Sequence, residues 1–177
     1  MATKTAYALL LLPLLASLAH AAPKAGVPCS LGKLHVAQLL TDDDTVDANQ
    51  RYQLVLDGKV SPAFAEQSFA DDTLTEVKTA QCQYRSQVFA VDFGSPYYKG
   101  FAIRYNARAK AMERIDFAEK ALPAYLVNAA DNFTVVMPNE EAGVTSKYIA
   151  YSYNGQAPAQ SEKQYLDALP PHAKALR

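Results

Sequence analysis

The chain has no tryptophan, only two cysteines and only three histidines among its 177 residues. Two cysteines cannot build a disulfide-dense mini-scaffold. With so little histidine beside them, they also leave a zinc site short of its three or four clustered ligands. The scarcity of histidine removes the commonest general base. The GxSxG, HExxH, GxxxxGK[ST] and GxGxxG motifs are all missing. An excess of either charge is missing too, with 17 Lys and Arg against 18 Asp and Glu, a net charge of −1. A nucleic-acid binder driven by bulk charge would be basic. A disordered chain would hold less than the 50% of hydrophobic residues found here. These absences leave one ordinary globular domain.

What is present begins with residues 1–21, which read as a secretory signal. Lys4 supplies the positive n-region, Ala6 to Ser17 the apolar stretch, and Ala19-His20-Ala21 the small-x-small cleavage pattern. The apolar stretch is shorter than the ~20 residues a bilayer span needs, and Pro13 interrupts it. No later run is long enough to span. Cleavage after Ala21 leaves 156 residues with a net charge of −2, because Lys4 is the only charge removed. The expected product is secreted or periplasmic. Gly26-Val27-Pro28 before Cys29 is a poor lipoprotein signal. In an oxidising compartment, Cys29 and Cys82 are expected to form one disulfide. Closing that loop would stabilise the fold by about 4 kcal/mol and tie the N-terminus to a central strand.

The mature chain divides into a mobile lead-in over 22–30, one β-rich domain over 31–169 and a flexible tail over 170–177. Residues 33–40 fit a short helix or a strand. Asp57-Gly58 between apolar runs is a hairpin signal. Residues 73–84 and 87–93 form another β-rich pair. Residues 101–117 alternate with period two, which favours a hairpin of 100–106 and 111–117 over a helix across 107–122. Another hairpin is expected from 125–128 and 132–137, and a tyrosine-rich strand over 147–153. Ser161 with Gln164 resembles a capping box, so a short helix is expected over 162–169. Strands about ten residues apart predict a mainly β fold. Its expected form is an antiparallel meander in a small barrel or strongly curved sheet, with one or two short helices.

Candidate chemistry is sparse. Asp42, Asp43, Asp44 and Asp47 offer hard oxygen ligands for calcium, but the EF-hand glycine and final glutamate are missing. A solvated loop or helix cap is the better reading. His35 reads as a satisfied structural histidine. Glu113 occupies the apolar register of its strand, where an unpaired carboxyl would have a raised pKa. A register shift that exposes it is the simpler expectation. Tyr97 and Tyr98 in a turn, and Tyr151 and Tyr153 on one strand face, are candidate ligand or partner contacts. Asn132-Phe133-Thr134 is a glycosylation sequon, relevant only in a eukaryotic source.

The leading expectation is an exported, non-enzymatic binding protein with no cofactor, no nucleic-acid partner and no membrane span. Its partner would be a small apolar ligand or another exported protein. Phe89, Phe93, Phe101, Ile103, Phe117 and Val135 would line the interior or fill it. With a filled interior, loops 94–99 and 138–146 would bind a protein. The alternative is a carboxylate acid–base enzyme, such as a hydrolase, using Glu113 with Asp92 or Asp116. A third possibility is a surface or matrix component.

Overall fold

The structure is a computed structural model that describes residues 23–42, 51–64, 76–93, 96–155 and 161–177. The signal segment 1–21 and the possible calcium ligands Asp43, Asp44 and Asp47 lie outside the described residues. The described chain is mainly β, with almost no helix.

Its strands form three antiparallel sheets. The first holds β1 (Lys24–Ala25), β2 (Cys29–Ser30), β3 (Val36–Thr41), β4 (Tyr52–Leu56) and β5 (Lys59–Pro62), in the order β1-β3-β4-β5 with β2 also on β3. The second is a simple meander of β6 (Val77–Gln83), β7 (Ser86–Asp92), β8 (Tyr98–Asn106) and β9 (Ala111–Glu119). The third holds β10 (Tyr125–Ala129), β11 (Asn132–Pro138), β12 (Tyr148–Tyr153), β13 (Ser161–Leu166) and β14 (Lys174–Ala175), in the order β13-β12-β11-β10-β14. No described sheet closes into a barrel.

The second sheet lies between the other two, because both of its faces are apolar. Successive strand residues point to opposite faces. On one face, Phe89, Val91, Phe101 and Ile103 pack against Leu39, Tyr52, Leu54 and Phe64 of the first sheet and its neighbouring loop. On the other, Val88, Ala90, Ala102, Ile115 and Phe117 pack against Leu126, Phe133, Val135, Met137 and Ile149 of the third. This double burial explains why Ser86 to Val91 is buried at every position. Tyr52, Phe64, Phe89 and Phe101 form a chain of ring contacts with centroids 5.6–6.3 Å apart.

Several expectations hold. In the 33–40 segment, residues from Val36 onward are strand and 33–35 are loop, and Asp57-Gly58 forms its hairpin with φ of 51° and 80°. The 100–117 stretch is a continuous hairpin, so the helical reading of 107–122 is excluded. The expected helix over 162–169 is wrong, since Ser161–Leu166 is a strand paired with all of β12. Ser161 Oγ, read as a helix cap, instead donates to the Asp116 carbonyl. A six-residue pairing overrides the local cap. The chain end is also structured: Ala175 and Lys174 pair with Tyr125 and Leu126, and Leu176 packs on the second core. Within the lead-in, Lys24 and Ala25 pair with Thr41 and Leu40.

Candidate functional site

Cys29 and Cys82 are joined by a disulfide. It links β2 to β6, which is an edge strand of its sheet and not the central strand expected. Two residues beyond each cysteine begins a wall of a groove. One wall is the loop Leu31 to His35, and the other is the β6–β7 turn at Tyr84-Arg85. Tyr105, Ala107 and Lys110 from the β8–β9 hairpin and Asn128 from β10 complete it. The groove is open on one side and has a volume of about 610 Å³.

Each wall is held by a separate device. The disulfide pins the first sheet to the second. Asn128 Nδ2 donates to the Tyr84 carbonyl at 2.6 Å and to Ser86 Oγ at 2.9 Å, pinning the second sheet to the third. Asn106 Oδ1 accepts from the Arg108 and Ala109 amides at 3.0 and 3.1 Å, which fixes the β8–β9 loop. Asn106 is itself held by Glu113 Oε1 at 2.7 Å and by the Ala130 carbonyl at 2.9 Å. Arg104 Nε donates to Glu113 Oε2 at 2.6 Å, and its Nη1 reaches Asn128 Oδ1 and the Ala129 carbonyl. A buried Arg104–Glu113–Asn106 network therefore sits behind the groove and sets the position of two of its turns.

His35 stacks on Tyr105 with ring centroids 3.9 Å apart, and its Nδ1 lies 2.7 Å from Asp57 Oδ2. Asp57 also accepts from the Val36 amide at 2.9 Å. The His35 hydrogen bond first, and the Val36 amide second, hold the Asp57 carboxyl below its usual value. His35 is thus the satisfied histidine expected, and it also forms part of the groove.

Three cations face this space: Lys33, Arg85 and Lys110. All are exposed. Among the described residues, none of the three has a carboxylate partner. Arg85 and Lys110 both have positive φ, 58° and 53°, and so does Tyr84 at 53°. Two-residue hairpin turns with positive φ at both positions usually employ Asn-Gly. Here Tyr-Arg stands in that place at a backbone cost.

The residues singled out by sequence lie elsewhere. Glu113 is buried, and the β8–β9 register runs unbroken through Tyr105↔Met112 and Arg104↔Glu113. The expected register shift does not occur, because Arg104 supplies the counter-charge that makes burial tolerable. Asp116 is on the opposite face of β9 and is gripped by Arg114 at 2.6 and 3.0 Å. Asp92 sits at the far end of β7, 3.7 Å from Lys78. These three acids are not brought together. Tyr98 begins the strand that Asn106 ends, so Tyr97 and Tyr98 lie about 25 Å from the groove. Tyr153 packs against the second core. Tyr151 does too, and its hydroxyl donates to Glu119 at 2.6 Å. Asn132 is exposed at the start of β11, and its Oδ1 accepts from Thr134. Among the described residues, no three His, Cys, Asp or Glu side chains gather as metal ligands.

No family model, curated protein or solved structure matches this chain. The site must be read from its own residues. The one signal in the sequence that could have led to it is the pair Tyr84-Arg85, a two-residue connection between strands with no turn-forming residue.

Proposed function

We propose that this is an exported, non-enzymatic binding protein that holds a small apolar ligand in the groove between the Leu31–His35 loop and the Tyr84-Arg85 turn. The observation that carries this reading is the groove itself. Its volume of about 610 Å³ falls in the range of small-molecule sites. Leu34, the Tyr105 ring and Ala107 give it apolar surface. The disulfide and the Asn128 hydrogen bonds pre-organise its walls, which lowers the ordering cost of binding. The signal pattern of residues 1–21 supports export, and the disulfide suits that destination. The acid–base alternative draws no support from the geometry, since Glu113, Asp92 and Asp116 are separated and each has a cationic partner.

A fluorescence titration with N-phenyl-1-naphthylamine, a neutral apolar probe, tests the proposal. The wild-type protein is expected to bind it saturably. An Ala107→Trp variant, which fills the groove from an exposed hairpin, is expected to lose binding with an unchanged melting temperature. No saturable binding by wild type, or equal binding by the filled variant, would overturn the assignment.

A further inference from the structure

We infer that the ligand of this groove is a monomeric amphipathic anion, with an apolar body and a single sulfonate, carboxylate or phosphate head. This inference rests on the groove being a ligand site and adds the charge of what it takes. Lys33, Arg85 and Lys110 approach the same space from three different loops. In a protein whose charges nearly balance, three cations around one concavity with no described carboxylate partner are a local excess. Asp57, which pairs with His35 of the groove, is already engaged by that histidine and the Val36 amide. A low-dielectric wall beside such a cluster focuses its field and draws in an anion.

The backbone supports the same conclusion independently. Arg85 and Lys110 both occupy the left-handed region, where a bulky side chain costs roughly 1 kcal/mol or more. Glycine or asparagine would fill either place more cheaply. An arginine and a lysine kept at strained positions beside one cavity are accounted for by a charge that they meet there. The fork of Arg85 suits a two-oxygen acceptor, and the lysines act as point charges. The concave shape fits one molecule and not a flat lipid surface.

Two probes with the same aromatic body and different charge separate this inference from the one before it. The first is N-phenyl-1-naphthylamine, and the second is its sulfonate, 8-anilinonaphthalene-1-sulfonate. Wild type is expected to bind the sulfonate at least tenfold more tightly, with the advantage shrinking as sodium chloride is raised. A Lys33→Gln, Arg85→Gln, Lys110→Gln triple variant is expected to bind both probes alike, at the neutral probe's affinity. Equal affinities in wild type, or an unchanged sulfonate affinity in the triple variant, would overturn the anion and leave the groove standing. Failure of both probes to bind would remove the groove reading as well. Co-sedimentation with phosphatidylglycerol vesicles that depends on the same three cations would overturn the monomeric ligand.

Discussion

Glu113 and Arg104 form the most consequential pair of single residues in the molecule. Both are almost wholly buried, and their ion pair of 2.6 Å is bracketed by Asn106 and Asn128. Removing one charge strands the other without water. A Glu113→Gln variant is therefore expected to lose about 3 kcal/mol or more in urea unfolding. A loss under 1 kcal/mol would mean that Arg104 finds another partner. Arg85 predicts the opposite sign. An Arg85→Gly variant relieves a positive φ and is expected to gain up to ~1 kcal/mol. The same variant is expected to bind the sulfonate probe several-fold more weakly. Stability and binding moving together in this variant would contradict the idea that the turn trades one for the other.

At the scale of the elements, the central meander depends on one glycine. A Cβ on Gly100 would sit 2.2 Å from the Phe89 carbonyl oxygen and 2.5 Å from the Phe117 ring. Gly100→Ala must spread β7 from β8, and a cost of roughly 3 kcal/mol or more is expected in thermal or denaturant unfolding. A near-neutral result would show that β7 and β8 separate easily. The junction of β9, β12 and β13 predicts a pH dependence. Lys163 lies 2.7 Å from Glu119 and 2.5 Å from Glu141, and Tyr165 donates to Glu141 at 2.7 Å. Hydrogen bonds from Lys163 and then Tyr165 hold the Glu141 carboxyl below its ordinary 4.5. Its contribution is therefore present above that value and lost as pH falls through the folded-state pKa. Burial and the Glu119 hydrogen bond raise the Tyr151 phenol above its ordinary 10.0. Burial opposes the charge on Lys163, but bonds to Glu119 and Glu141 outweigh it and raise its pKa as well. These two contributions are full below about pH 10 and fade above it. Unfolding free energy should thus form a plateau with falling limbs on both sides. A Glu141→Gln variant should have the shallower acid limb, and an unchanged limb would assign the effect to other acids.

The same elements show what could be read from the sequence. Hairpins with their own turn chemistry or clean alternation were legible, as at Asp57-Gly58 and over 101–117. Strand β13 was not, because Ser161 and Gln164 mimic a helix start and only pairing with β12 decides the outcome. The apolar register of Glu113 was visible, but a register shift that exposes it was expected, because its partner Arg104 lies nine residues away on another strand and nothing local links them. The groove was invisible for the same reason. Its residues come from three sheets and meet only after the sheets have stacked.

For the molecule as a whole, the disulfide joins two sheets that also share an apolar interface, and each of its ends leads into a wall of the proposed site. A Cys29→Ser, Cys82→Ser double variant is expected to lose about 4 kcal/mol by loop-closure entropy over the 53-residue separation. It should also bind the naphthylamine probe more weakly, since the Leu31–His35 loop is no longer pinned to the Tyr84 turn. Lost stability with unchanged affinity would separate the staple from the site. The most direct measurement is a backbone amide NMR titration of the oxidised protein with 8-anilinonaphthalene-1-sulfonate. The predicted perturbations converge on Leu31 to His35, Tyr84-Arg85, Tyr105 to Lys110 and Asn128. Perturbations centred on Tyr97-Tyr98 or the 138–146 loop, or none at saturating probe, would contradict the account.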